Sequence, residues 1–167
     1  MNKEISYNEY AAKVIDQLPK GAFLTTIGDG KVNTMTIGWG SIGFLWRKPV
    51  FTVMVRHSRY TYQLIEKSNE FTVSIPLKDM KAALSLCGSK SGRDMDKLAA
   101  AGLTTKPGQK LLTPVIADCG LTYECKIIYK QTMSRDNLDD EIQQQCYNDG
   151  DYHTLYFGEI VASYRND

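Results

Sequence analysis

The chain of 167 residues is 43% hydrophobic and 23% charged, enough to bury a core without disulfides or a structural metal. Its 20 basic and 19 acidic residues leave a formal charge of +1, which excludes the concentrated basic excess of a nucleic-acid binder. No apolar run approaches the roughly 20 residues that span a bilayer, and the polar opening Met1-Asn2-Lys3-Glu4 is unlike a signal peptide, so one cytoplasmic domain over residues 1–167 is expected.

Ser6 and Glu9 have the spacing of a capping box, which predicts a first helix through about Leu18, with Tyr7, Ala11, Val14, Ile15 and Leu18 on an inward face. Pro19 ends it. Ala22 to Ile27 has strand composition, Gly28-Asp29-Gly30 is a tight hairpin turn, and a second strand follows from Lys31 to about Trp39. Gly38 to Gly43 reads as a loose glycine-rich stretch. Val50 to Arg56 is a mostly buried third strand, and a short helix follows from Tyr60 to Lys67.

Glu70 to Ile75 is a fourth strand, stopped by Pro76. Asp79 caps a helix to Leu86, and another helix runs from Asp94 to Ala101, closed by Gly102. Leu121 to Lys130 and Leu155 to Tyr164 are strands, with an exposed helix from Asp139 to Tyr147 between them. Six or so strands joined by hairpins and short helices favour a mainly β, antiparallel barrel with flanking helices over a doubly wound sheet.

The four cysteines (Cys87, Cys119, Cys125, Cys146) and two histidines (His57, His153) show no metal-ligand spacing, so zinc is not expected, and no base beside a thiol marks a nucleophile. Gly38-Trp39-Gly40-Ser41-Ile42-Gly43 fits the GxGxxG pattern, but Phe44 to Pro49 is a poor helix start and no acidic residue follows at the required distance. It is not a dinucleotide fingerprint.

Arg56-His57-Ser58-Arg59-Tyr60-Thr61 leaves a strand and enters a helix, setting two guanidinium groups and two hydroxyls around free backbone N–H groups. That suits a phosphate, or else Ser58 is a cap and the arginines are solvated. Ser89-Lys90-Ser91-Gly92-Arg93-Asp94-Met95-Asp96-Lys97 repeats the chemistry with the same two readings. Met35-Thr36-Ile37-Gly38-Trp39 mixes small, polar and sulfur-bearing residues, as beside a flat heterocycle or in a plain core strand.

Taken in order, Asn33-x-Met35-Thr36-x-x-Trp39, Trp46-x-x-Pro49-Val50, Arg56-x-Ser58-Arg59-Tyr60-Thr61, Phe71 to Pro76, Cys87-Gly88-x-x-Ser91-Gly92-Arg93-Asp94-x-Asp96-Lys97 and His153-x-Leu155-Tyr156-x-Gly158-Glu159 resemble the flavin reductase-like family with the FMN-binding split barrel, nearest to the flavoredoxins. The resemblance spans nearly the whole chain. It implies a six-stranded antiparallel split barrel, a homodimer, and FMN near the subunit interface. It also implies that Met35, Thr36, Ile37, Gly38 and Trp39 lie along the isoalloxazine, that Arg56, Ser58, Arg59, Tyr60 and Thr61 surround phosphate and ribityl groups, and that Ser89, Ser91, Gly92 and Lys97 close the site.

Flavin chemistry suits a chain with no visible catalytic triad or carboxylate pair, since the cofactor carries the reaction. The leading expectation is an FMN-dependent oxidoreductase moving a hydride from NADH or NADPH to flavin and electrons on to a partner protein or free flavin. Alternatives are an FMN electron carrier reduced by another protein, a pyridoxamine phosphate oxidase-like enzyme, and a non-flavin interaction module.

Overall fold

The computed structural model describes residues 2–166. In chain order it contains β1 (Lys3–Glu4), α1 (Ala11–Gln17), a 3₁₀ turn (Leu18–Lys20), β2 (Ala22–Gly28), β3 (Lys31–Ile37), β4 (Gly40–Leu45), β5 (Lys48–Arg56), α2 (Tyr60–Ile65), β6 (Glu70–Ile75) and α3 (Lys81–Ser89). There follow α4 (Lys97–Ala100), β7 (Thr105–Lys106), β8 (Val115–Ile116), β9 (Leu121–Thr132), a 3₁₀ turn (Arg135–Asn137), α5 (Asp140–Cys146) and β10 (His153–Arg165).

All strand pairs are antiparallel. The main sheet runs β3-β2-β6-β9-β10-β5-β4, with β1 added to β10, and the sheet does not close: β3 and β4 are its two edges. Residues 38 and 39 carry the chain from one edge to the other. The sheet therefore has eight strands rather than six, with a separate β7-β8 ribbon.

The largest difference from the expectation is β4. Its glycines predict a loose segment, yet Gly40 to Leu45 pairs with β5 in regular register from Gly40↔Val53 to Leu45↔Lys48. The turn between them is hidden from sequence patterns because its central residues, Trp46 and Arg47, both have positive φ (51° and 59°) without being glycine or asparagine. Each such residue costs about 1 kcal/mol or more. The Trp46 indole gains edge contacts in return, its centroid 5.8 Å from Tyr129 and 5.9 Å from Phe157. By contrast, the β2–β3 turn is as expected, with Asp29 at φ 51° and Gly30 at 72°.

The capping box does not form. Ser6 Oγ donates to Asn8 Oδ1 instead, and α1 begins only at Ala11 with no side-chain cap. In so short a helix only Val14, followed by Leu18, reaches the core, and Ile15 is 57% exposed. α4 also begins later than expected, because Asp96 is its cap and accepts from the Ala99 N–H.

The core fills the sheet's concave side with Phe51, Phe71, Tyr123, Tyr156 and their aliphatic neighbours. Burying each large apolar side chain contributes about 1.5–3 kcal/mol. A second cluster packs α3 and the segment after it over Phe23, Ile116 and Cys119. Near the start of β9, the fully buried Glu124 carboxylate accepts the backbone N–H groups of Gln109 (2.6 Å), Lys110 (2.9 Å) and Leu111 (2.9 Å) and the Tyr164 hydroxyl (2.9 Å). Glu70 does the same for the N–H and hydroxyl of Thr113. All four cysteines are free thiols: Cys87, Cys119 and Cys125 are buried and Cys146 is half-buried.

Candidate functional site

Because β3 has no neighbour on its outer side, part of its backbone remains available to a ligand. There, at the split, Met35 to Trp39 line a cavity of about 220 Å³ with Met54, Arg56, Arg59 and His153. Its walls mix apolar and aromatic side chains (Met35, Ile37, Trp39, Met54) with polar ones (Thr36, Arg56, Arg59), and the Trp39 and His153 rings lie 5.5 Å apart. A second cavity of about 160 Å³ shares Met35 and Arg59 with the first and is lined by the β5–α2 turn and the α3–α4 loop. One chamber suits a flat ring; the other is rich in hydroxyls and cations.

Four cations line the second chamber, Arg59, Lys90, Arg93 and Lys97, and three of them are held by backbone carbonyls. Arg59 donates to the Gly88 carbonyl (3.1 Å), Arg93 to the Ser58 carbonyl (3.2 Å) and Lys97 to the Cys87 carbonyl (2.9 Å). Among the described residues none of the three pairs with a carboxylate. Carbonyls fix the positions of these groups while leaving their charge uncompensated, as an anion site requires. Lys97 is only 5% exposed. Burial pushes its ammonium below the ordinary lysine value; the Cys87 thiol opposes this shift and the Arg59 guanidinium adds to it. Gly92 keeps the chamber compact, since a methyl group there would run into the Asn33 amide oxygen and come within 2.9 Å of the Tyr60 ring. Asn33 in turn donates to Thr61 Oγ1 (2.9 Å).

Arg56 and Ser58 are engaged differently. Arg56 donates to the carbonyls of Cys146 (2.8 Å) and Asp151 (2.7 Å), with its guanidinium 5.0 Å from the Tyr147 ring centre. Ser58 gives its backbone N–H (3.1 Å) and hydroxyl (2.5 Å) to the Asp151 carboxylate. Burial would raise the Asp151 carboxyl, but these two bonds and the Arg56 and His57 charges hold it below the usual range. The staple ties the segment after α5 to the site and seats His153, whose Nδ1 meets the Tyr147 hydroxyl at 2.7 Å. Burial first, then Arg56, pushes His153 down to about 4, so it is neutral near pH 7.

Residues 16–167 match the family described as the flavin reductase like domain. The chain belongs to that family. Flavoredoxin from Methanosarcina acetivorans is 26% identical to this flavin reductase-like chain, covers 86% of it and 67% of its own length, and superposes with a TM-score of 0.68. An FMN-binding domain of a flavin reductases-like enzyme from Shewanella baltica OS155, 20% identical over 99% of this chain and 78% of that one, shares the fold with a TM-score of 0.71. A protein of Archaeoglobus fulgidus, 28% identical over 143 residues (86% of this chain, 71% of the relative), is uncharacterized. The open sheet is thus the FMN-binding split barrel.

In this flavin reductase-like chain every residue expected at the site lines one of the two adjoining cavities: Met35, Thr36, Ile37, Gly38, Trp39, Arg56 and Arg59 the first, and Ser58, Tyr60, Thr61, Ser89, Ser91, Gly92 and Lys97 the second. Lys90 and Arg93 of the cation-rich loop join them, as do Met54, His153 and Asn33, to which the sequence reading gave no place in the site. Met54 was legible, because Phe51, Val53 and Val55 face the core and alternation puts Met54 beside Arg56. His153 opens the last motif of the resemblance, but no residue beside it in sequence marks it as a wall of the site.

Proposed function

We propose that the chain is an FMN-dependent oxidoreductase of flavoredoxin type, and that it works as a cytoplasmic homodimer. The observation that carries this reading is the pair of adjoining cavities, one bordered by Met35, Ile37, Trp39, Met54 and His153, the other lined by four cations, three of which donate to backbone carbonyls and none of which pairs with a carboxylate among the described residues. A flat heterocycle with an anionic tail has that shape and charge. Bound FMN would supply hydride acceptance from NADH or NADPH and electron release to an acceptor.

The chain's own residues bind and orient. Arg59, Arg93 and Lys97 hold the phosphate, with Ser89 and Ser91 as further donors. The outer backbone of Met35 to Gly38 meets the ring's polar rim, while Trp39 and Met54 cover apolar surface. Arg56 and Ser58 act through the Asp151 staple, keeping the neutral His153 ring at the cavity wall. Second-copy docking is supported by the exposed Phe44 and Leu45 of β4, an edge strand paired on one side only, and by the exposed Trp46 in the turn after it. Four free thiols support a reducing compartment.

The test is a visible spectrum of the purified protein, followed by anaerobic NADH or NADPH. Flavin bands that bleach within the mixing time support the oxidoreductase. Bands that persist but bleach with a reduced partner protein replace it with an electron carrier. A colourless protein that does not take up added FMN removes the reading. Sedimentation velocity tests the dimer separately.

A further inference from the structure

A depression larger than either chamber at the split lies elsewhere. A groove of about 740 Å³ opens between α1, the 3₁₀ turn that follows it and the start of α3. Its floor is apolar, made by Pro76, Leu77, Met80 and Leu84. Around it stand four exposed lysines, Lys13, Lys20, Lys78 and Lys81. Among the described residues none of them forms an ion pair. Two carboxylates share the rim, Asp16 and Asp79, and Asp79 is turned onto the Lys81 backbone N–H at 3.0 Å. Cations therefore outnumber carboxylates four to two around an apolar floor.

We infer that this groove binds a small amphipathic organic anion, with its apolar body on Pro76, Leu77, Met80 and Leu84 and its carboxylate or phosphate among the lysines. The volume falls in the range of about 300–1,000 Å³ that holds small ligands. Concavity and an apolar floor favour a small molecule over an acidic protein, which would need charge over a broad, flat face. The groove is separate from the cofactor cavities but shares a wall with them: the Leu84 carbonyl accepts the Thr36 hydroxyl at 2.6 Å, and Thr36 lines the first cavity.

The test is an amide chemical-shift titration of the ¹⁵N-labelled full chain with octanoate and, separately, octanol, run both with added FMN and without it. Octanoate is expected to shift the amides of residues 78–84 and 17–20, with octanol about tenfold weaker. Lys20→Glu with Lys78→Glu, which leaves two cations against four carboxylates on the rim, should weaken octanoate about tenfold, leave FMN uptake unchanged, and reverse the sign of the salt dependence. Lys20→Gln with Lys78→Gln, which reverses no charge, should give a smaller loss of the same sign. Equal affinity for octanoate and octanol would overturn the inference, as would shifts confined to residues 35–39. So would silence toward octanoate with a response to polyglutamate, which would make the groove an acidic-protein surface. Because the titration without FMN stands alone, failure of the flavin reading and failure of this one are distinguishable.

Discussion

Glu124 and Lys97 are both buried ionisable side chains, and the molecule uses them in opposite ways. Three backbone N–H groups and a tyrosine hydroxyl fill the acceptor capacity of Glu124. Lys97 has three N–H donors and one partner among the described residues, the Cys87 carbonyl. A buried charge with its bonding capacity filled holds a loop in place. One left partly unfilled, beside Arg59 and Arg93, keeps its attraction for something that is not part of the chain.

The strongest way to break that comparison is Glu124→Ala. It orphans the N–H groups of residues 109–111 and the Tyr164 hydroxyl, and should lower stability in urea by about 3–5 kcal/mol, leaving the FMN affinity of the folded protein unchanged. A loss below about 1 kcal/mol would mean the knot is ornamental.

Arg59→Met should do the reverse. FMN affinity measured by calorimetry should fall about 10- to 100-fold, the value of one charge-assisted hydrogen bond, while stability without flavin stays within about 0.5 kcal/mol.

His153 gives a pH test. Its folded value of about 4 lies below the ordinary 6.5, so between those values the unfolded chain binds more protons. Stability should therefore drop by about 2–3 kcal/mol as pH falls from 6.5 to 4. His153→Asn should flatten that arm; an unchanged slope would assign it to other groups.

The smallest effect is the most pointed. Lys97→Met should weaken FMN binding and yet raise stability without flavin by up to about 1 kcal/mol, because it removes a poorly solvated ammonium from the interior. Lower stability would place Lys97 with Glu124 as architecture.

Much of this was legible because the chain punctuates itself with ordinary chemistry. Asp29-Gly30 marked one hairpin, Pro76 ended β6, and the hydroxyl- and cation-rich loops at residues 56–61 and 89–97 met as expected. What failed depended on tertiary competition. Asn8 took the Ser6 hydroxyl that a capping box would have used. Trp46-Arg47 makes a turn that sequence patterns assign to asparagine and glycine, so β4 was hidden. The engagement of Arg56 and Ser58 with Asp151 was not legible, because Asp151 lies more than 90 residues away in the chain.

The uneven burial of the thiols has a practical consequence. Burial pushes Cys87, Cys119 and Cys125 upward in pKa, leaving them protonated and inaccessible. Cys146 alone of the four is not fully buried, which makes it the thiol a maleimide should reach first in the folded protein, and its own carbonyl receives the Arg56 guanidinium. One fluorophore can therefore be attached without mutagenesis, at the rim of the staple, where its emission would register any movement of the segment after α5 during ligand binding.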